Sequence, residues 1–494
     1  MKRTYIAVCI VMVTSALPAA AGRVEASHPL ISTPTRFAPI VEEVFSPAAG
    51  ALAPASTDPV AELITFTAVL SRLAGFEQDP TTAVLAADVP RDVAASLVWV
   101  QRALATCIVA TARARNAVGD AAIVAATVDG TPLLEPALND IATCAPAVWR
   151  AATALERAVA ATPAPLSLDV WPVVKMEDAG DTTYLNDYMI IVDTAGNDIY
   201  DNNSGGNSID LNYAPAGSAV PGIRGFGPAL GCRSALSGLV NLECVPLAGV
   251  LIDTAGDDVY NPKHPASFDA RCTNDPVVTR QVTGGSGFLG VSALIDSAGN
   301  DSYAGKTGAL GTGHLYGVGI LEDRAGNDTY TVVRNGQGVG FLSALGVLRD
   351  IAGDDVYDFY MPAAIVEGAA DGTNGAGGVV DDQSVCDTKA RFTLGAGNLF
   401  GSLGIFVDHA GDDDYTGGYS DTFKSPPFFP TGRGGAIGFA NNQSTALFLD
   451  EAGTDKYAIT GAPGAGTRRD GALLLPDATC QSSTCLGVFA DRNG

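Results

Sequence analysis

Positive charge is what this sequence has least of. Its 494 residues hold 29 Lys and Arg against 54 Asp and Glu, a net charge of −25. A nucleic-acid backbone would be repelled by such a chain, which excludes nucleic acid as a partner. Histidine is scarcer still. His28, His264, His314 and His409 are scattered, and none stands in the HxxxH or HExxH spacing of a catalytic zinc site. At the variable place of its motif, His409 is expected to face solvent. No two cysteines form CxxC, which argues against structural zinc. A GxSxG nucleophile elbow is also missing. The run GTGHLYG, Gly311 to Gly317, imitates a dinucleotide fingerprint, but similar glycine runs recur along the chain and suit stacked strands better. After the first residues no segment reads as 18 or more apolar residues, so no later membrane span is expected.

What is present begins with an export signal. Lys2 and Arg3 precede the apolar run Tyr5 to Leu17, and Ala19, Ala20 and Ala21 supply small residues for cleavage. Residues 1–21 are therefore expected to be removed, and the mature protein to be secreted, extracellular or at a cell surface. The cysteines agree. Without Cys9, which lies in the signal, eight remain, an even number suited to disulfides in an oxidising compartment. Local pairing suggests Cys107–Cys144, Cys232–Cys244 and Cys480–Cys485, leaving Cys272 with Cys386, although spacing alone does not decide connectivity.

Residues 22–57, rich in Ala, Pro, Ser and Thr, read as an arm or linker. Residues 58–163 are Ala-rich and poor in glycine. Leu63, Phe66, Leu70 and Leu73, then Val93, Leu97, Val100 and Leu104, recur at helical spacing, with helix starts at Asp58-Pro59 and Val89-Pro90 and a stop at Gly75. The spacing predicts about four helices, two of them stapled by Cys107 and Cys144, forming a spacer or a cap on the C-terminal region.

From residue 164 the composition changes and one motif takes over: Asp-x-Ala-Gly-(Asn/Asp)-Asp-x-Tyr. It occurs as IIVDTAGNDIY, VLIDTAGDDVY, ALIDSAGNDSY, ILEDRAGNDTY, VLRDIAGDDVY, IFVDHAGDDDY and LFLDEAGTDKY, ending at Tyr200, Tyr260, Tyr303, Tyr330, Tyr357, Tyr415 and Tyr457. A weaker copy, EDAGDTTY, ends at Tyr184, and a partial one, FADRNG, comes after Val488. The first acids, from Asp193 to Asp491, are separated by 60, 43, 27, 27, 58, 42 and 41 residues. The shortest interval reads as one bare unit, and the longer ones as units carrying insertions.

A unit this small cannot bury an apolar face alone, but stacked units can. The place two before the first Asp is always large: Ile191, Leu251, Leu294, Leu321, Leu348, Phe406, Phe448. The next place admits Glu322 and Arg349. That alternation predicts a strand with one buried face. Ala-Gly-(Asn/Asp) supplies a turn whose Gly and Asn tolerate positive φ, and Tyr enters the next strand. One motif per layer would stack the tyrosines about 4.8 Å apart. Residues 164–494 are thus expected to form a mainly β, parallel β-solenoid or β-helix-like domain of about eight repeats.

The same stacking lines up carboxylates. The first and second acids pair as Asp193 with Asp198, Asp253 with Asp258, Asp296 with Asp301, Asp323 with Asp328, Asp350 with Asp355, Asp408 with Asp413 and Asp450 with Asp455. Columns of ionised acids about 5 Å apart repel unless protons or a cation intervene. Calcium, a hard ion that accepts six to eight oxygens in flexible geometry, suits them. The simpler alternative is that these side chains only hydrogen-bond their own turns.

The segments AGNDIY, AGDDVY and AGNDTY resemble the calcium-binding nonapeptide of RTX proteins, G-G-x-G-x-D-x-U-x. The resemblance implies calcium ligation by the acids at Asp198, Asp258, Asp301, Asp328, Asp355, Asp413 and Asp455, beside Gly196, Gly256, Gly299, Gly326, Gly353, Gly411 and Gly453. It covers about eight residues per repeat. The opening glycine pair is replaced by Asp-x-Ala, and the period is 27 or more instead of nine.

The function expected is a secreted, calcium-rigidified structural or adhesive module without catalytic residues, its further partners a cell-surface glycan or protein. The alternative is a polysaccharide-acting β-helix enzyme or a glycan-binding protein, with its site in the insertions Asp201 to Leu247, Asp358 to Leu394 or Thr416 to Asn441.

Overall fold

The computed structural model describes residues 36–45, 56–73, 77–119, 122–123, 126, 133, 136–162, 165–178, 180–202, 205–207, 248–261, 283–334, 336–359, 394–398, 401–420, 434–435, 437–441, 443–460, 469, 471–474 and 485–492. The export signal, nearly all of the arm, most of the three insertions, and Cys232, Cys244, Cys272, Cys386 and Cys480 lie outside them. Cys485 is disulfide-bonded.

Helices come first: α1 (Ala38–Phe45), α2 (Pro59–Leu73), α3 (Thr81–Ala86), α4 (Arg91–Val118) and α5 (Asn139–Ala160). Asp58 caps α2, its Oδ1 accepting the Ala61 amide at 3.1 Å, and Pro59 fills the first helical place, where no amide is needed. Pro90 stands just before α4, and Gly119, at φ +82°, ends it. Leu63, Leu70, Val93, Leu97, Val100 and Leu104 are buried, as their spacing requires. Phe66 departs from that pattern and is half-buried under the Arg102 guanidinium; Leu73 is exposed. A disulfide joins Cys107 of α4 to Cys144 of α5. By length and composition α4 is apolar enough to cross a membrane, contrary to the expectation that no later segment is. Its apolar side is spent on α2 and α5, against which it packs.

Three mostly parallel sheets make up the rest of the described chain. The aspartate sheet has eleven strands. Nine of them lie in sequence order, from Val174–Met176 through Ile190–Asp193, Gly249–Asp253, Val291–Ile295, Val318–Glu322, Leu345–Arg349, Leu403–Asp408 and Thr445–Asp450 to Leu486–Asp491. Short antiparallel strands, Leu168–Val170 and Leu473–Leu474, close its two ends and cover what would be open hydrogen-bonding edges. The tyrosine sheet pairs Tyr184, Tyr200, Tyr260, Tyr303, Tyr330, Tyr357, Tyr415 and Tyr457 in register. A five-stranded glycine sheet runs from Gly287–Phe288 to Ala440–Asn441. Tyr200 and Tyr260 pair directly although 60 residues separate them, just as Tyr303 and Tyr330 do across 27, so the pairing of the motifs does not depend on the interval between them.

The place two before each first Asp points inward. Ile191, Leu251, Leu294, Leu321, Leu348, Phe406 and Phe448 share one buried cluster with the tyrosines. The opposite face of the aspartate sheet is also buried, which corrects the one-faced strand read from the sequence. Val192, Ile252 and Ile295 belong to the same cluster as Val148, Trp149 and Leu155, and Glu322 itself is buried. The reason is α5, which packs across strands Gly249–Asp253, Val291–Ile295 and Val318–Glu322. The helices therefore lie along the flank of the sheet, where a spacer or a cap was expected.

Polar groups at that flank are matched. Glu156 of α5 accepts from Arg324, and Arg324 and Arg349 both bond Glu322, at 2.9 and 2.8 Å. Arg349 also reaches the Val44 carbonyl at 3.3 Å and His409 Nε2 at 3.1 Å, while His409 Nδ1 lies 2.9 Å from Glu451. His409 is thus held between Arg349 and Glu451 instead of facing solvent.

Candidate metal centre

The motif turn brings backbones into unusually close contact. A Cβ built on Gly256, Gly299, Gly326 or Gly353 would lie 1.7 Å from the carbonyl oxygen of the motif glycine one layer earlier. No larger residue fits. Positive φ is required at Gly196 (+141°), Gly256 (+153°) and Gly453 (+158°). The Asn/Asp place, expected to share that conformation, does not adopt it in the described copies. Its side chains serve an exposed ladder instead. Asn197, Asp257, Asn300, Asn327, Asp354 and Asp412 each accept the amide of the equivalent residue in the next layer, at 2.8–3.0 Å. This ladder was missed from the sequence. Its signal was that every copy, Thr454 included, carries an oxygen there.

The first Asp of each motif bonds its own turn. Asp253 Oδ1 accepts the Ala255 amide at 3.1 Å, and Asp193, Asp296, Asp323, Asp350, Asp408 and Asp450 repeat the bond at 3.0–3.3 Å. Its Oδ2 accepts a tyrosine hydroxyl from the preceding layer: Tyr184 to Asp193, Tyr200 to Asp253, Tyr260 to Asp296, Tyr303 to Asp323, Tyr330 to Asp350, Tyr357 to Asp408 and Tyr415 to Asp450. Turn chemistry thus accounts for one oxygen of the first acid.

It does not account for the second acid, whose Oδ1 looks across layers. Asp258, Asp301, Asp328, Asp355, Asp413 and Asp455 accept the amides of Asp198, Asp258, Asp301, Asp328, Asp355 and Asp413 at 2.5–2.9 Å. The remaining oxygens, Oδ2 of Asp198, Asp258, Asp301 and Asp328, are buried without a hydrogen-bond partner. Their neighbours are the other acids, which can serve as partners only when one of them is protonated.

Two columns of aspartates thereby converge into trios. Asp198, Asp253 and Asp258 form one; Asp258, Asp296 and Asp301 the next; then Asp301, Asp323 and Asp328; Asp328, Asp350 and Asp355; and Asp355, Asp408 and Asp413. Within each, the carboxylate oxygens lie within 4.8 Å of one another and all three residues are buried. Each second acid is shared by two trios. Asp193, Asp450 and Asp455 occupy the same columns.

Two ionised carboxylates at such a distance repel by about 3–4 kcal/mol at an effective dielectric near 20. Burial, the larger effect, favours the neutral form, and the neighbouring acids add to it for most of the column. Asp301 is pushed up to about 10, Asp355 and Asp450 to about 9, and Asp198, Asp258, Asp328 and Asp413 to about 7. Asp193 rises to about 6, and Asp253, Asp323 and Asp408 rise well above the usual range. Burial likewise raises the stacked tyrosines, so they remain protonated donors.

Buried acids held three at a time at short range, with at least one unpartnered oxygen in four of these five trios, are a donor set that fits a cation. The set is all oxygen, the preference of hard ions.

Comparison with protein-family models, curated proteins and solved structures finds no match for this chain.

Proposed function

We propose that the protein is an exported structural module in which a β-solenoid is rigidified by calcium held in its aspartate column. One observation carries the reading: Oδ2 of Asp198, Asp258, Asp301 and Asp328 is buried without a hydrogen-bond partner inside trios of acids. With every acid ionised, hydrogen bonding alone would leave these oxygens unsatisfied at a cost of about 1–3 kcal/mol each. A dication satisfies them and cancels the repulsion together. The in-register stacking of every motif supports the solenoid, since one layer then supplies one first acid and one second acid to the column. The shared acids give each trio a neighbour one layer away, so calcium would join successive layers.

The proposed setting comes from the same chemistry. Outside the cell, where an export signal would deliver the chain, calcium is plentiful, and binding there would drive folding of a self-repelling acidic chain. The Cys107–Cys144 disulfide suits an oxidising compartment. Adhesion to a cell-surface glycan or protein would be the work of the insertions, most of which lie outside the described residues.

The test is a circular-dichroism melt of residues 22–494 in calcium and again in chelator. The expected outcome is a large rise in Tm with calcium and little with magnesium, whose rigid octahedral demand fits a shared-carboxylate column poorly. Identical melts in both conditions would sink the cation reading.

A further inference from the structure

We propose that Lys175 is a built-in cation that closes the aspartate column at its first layer, holding the place that a calcium ion takes in the layers that follow. Eight strands of the aspartate sheet each set one residue in the same inward place, in register: Ile191, Leu251, Leu294, Leu321, Leu348, Phe406, Phe448 and Phe489. The strand before them, Val174–Met176, pairs Lys175 with Ile191. A lysine thus stands where each of those layers carries a large apolar side chain. Its side chain is only 19% exposed, so packing alone gives no reason for a charge there.

The acids beside it give one. Glu177 occupies the first-acid place of this layer. Its amide donates to the Val192 carbonyl at 3.0 Å, the bond that Asp296, Asp323 and Asp350 make to Glu322, Arg349 and Val407 at 2.8–2.9 Å. The second-acid place holds Thr182. Its amide donates to Asp198 Oδ1 as that of Asp198 does to Asp258 Oδ1, both at 2.5 Å. This layer therefore brings one acid to the column where a full copy brings two. The first acids from Asp193 to Asp450 each accept a tyrosine hydroxyl from the layer before. Glu177 shares its layer with Tyr184, which ends the tyrosine sheet, so among the described residues no earlier ring can donate to it. Lys175 Nζ pairs with Glu177 Oε1 instead, and with Asp169 Oδ2 at 3.1 Å. Asp169 also accepts the Tyr188 hydroxyl at 2.9 Å, which holds the ammonium from a second side.

Charge decides which cation belongs here. The Glu177 charge reaches Asp193, the next acid of the column, so an unpaired Glu177 would extend the repelling series by one layer. One dication per layer balances the two acids of a full copy. One ammonium balances the single column acid of this layer, and Asp169, more than half exposed, is screened by water. A dication beside the ammonium would be repelled. Lys175 is also in place before any metal arrives, so the first layer can form in chelator and offer an edge on which the next layer stacks. This role for Lys175 rests on the cation reading, since a built-in cation has a purpose only where later layers hold ions.

The experiment counts calcium on the full chain by native mass spectrometry, in which each bound ion is a discrete step in mass. Lys175→Met puts an unbranched apolar side chain in the inward place and leaves Glu177 without its ammonium. The expected result is one calcium ion more than the parent binds. Lys175→Arg keeps a cation and should keep the parental count. Adding Glu177→Gln to Lys175→Met removes the freed acid and should return the count to that of the parent. If Lys175→Met fails to melt cooperatively in calcium, Lys175→Gln takes its place. An unchanged count in the Lys175 variant overturns the role of Lys175, as does an extra ion that remains when Glu177→Gln is added. The two readings fail differently. A parent that binds no calcium ends the cation reading itself, whereas a parent that loads calcium beside a Lys175→Met variant of equal count ends only the role of Lys175.

Discussion

Gly326 has no room for a methyl group. Its Cβ would meet the Gly299 carbonyl oxygen at 1.7 Å, and both partners are backbone that cannot swing aside. Gly326→Ala is therefore expected to cost about 3 kcal/mol or more in denaturant unfolding, at the upper end of overpacking effects. Gly180→Ala is the matched control. Nothing lies within 4 Å of its Cβ, so a change within about 0.5 kcal/mol is expected. Equal losses at both positions would mean that the layers are not in the contact described. Asp301 supports a sharper test because it belongs to two trios, with Asp258 and Asp296 on one side and Asp323 and Asp328 on the other. Asp301→Asn retains an oxygen for the Asp258 amide and replaces a carboxyl that burial keeps protonated at pH 8 without metal, at a free-energy cost the amide does not bear. In chelator at pH 8 the variant should melt no lower than the parent. In calcium it should bind about two fewer ions by isothermal titration calorimetry, one for each trio it serves. Unchanged stoichiometry would count against the column as the site. Both acid places were legible in the sequence because every full copy repeats them. What one copy cannot display is which layer an acid serves. The reach of Asp301 to the amide of Asp258, 43 residues earlier, exists only once layers stack.

In the tyrosine sheet, ring and hydroxyl do separate work. Tyr330 stacks on Tyr303 at 4.7 Å and on Tyr357 at 4.8 Å, and its hydroxyl donates to Asp350 at 2.7 Å. Tyr330→Phe keeps the stack and deprives a buried carboxylate of a donor. The expected loss is about 1–3 kcal/mol, the usual cost of leaving a buried polar partner unmet, read from the shift in the denaturation midpoint. A loss below a few tenths would show that the hydroxyls contribute nothing beyond packing. The same sheet marks where reading by period succeeds. Alternation placed Leu321, Leu348 and Phe406 inward, where they meet the tyrosines. It could not foresee that the outward places are buried as well. Glu322 and Arg349 look solvent-facing to any reading by polarity, yet Arg324 and Glu156 of α5 complete a matched polar cluster there. Charge at a strand position reports the need for a partner, and here the partner comes from a helix more than 160 residues earlier in the chain.

For the molecule as a whole, the aspartate column ties stability to pH in a direction opposite to that of an ordinary acidic protein. Acids that gain partners on folding usually have lowered pKa values and stabilise as pH rises. Here burial raises them: Asp198, Asp258, Asp328 and Asp413 to about 7, Asp355 and Asp450 to about 9, Asp301 to about 10, all from an ordinary 3.8. Between about pH 4 and 10 the folded, metal-free chain therefore holds more protons than the unfolded one, and stability falls as pH rises. The contribution is complete below the unfolded value and is lost as pH climbs through each folded value. The loss is steepest near pH 5 to 6, where all seven groups are protonated in the folded chain and ionised in the unfolded one, and it slackens above pH 7 as four of them ionise in the folded chain as well. Calcium reverses the dependence, because it binds the ionised column and must displace those protons at low pH, so its stabilising increment grows with pH. Melts from pH 5 to 9 should thus give two diverging curves: Tm falling with pH in chelator, and level or rising in calcium. A chelated protein whose Tm is flat or climbs from pH 5 to 8 would show that the carboxylates are ionised and satisfied without a metal. The unpartnered oxygens of the trios would then need another explanation.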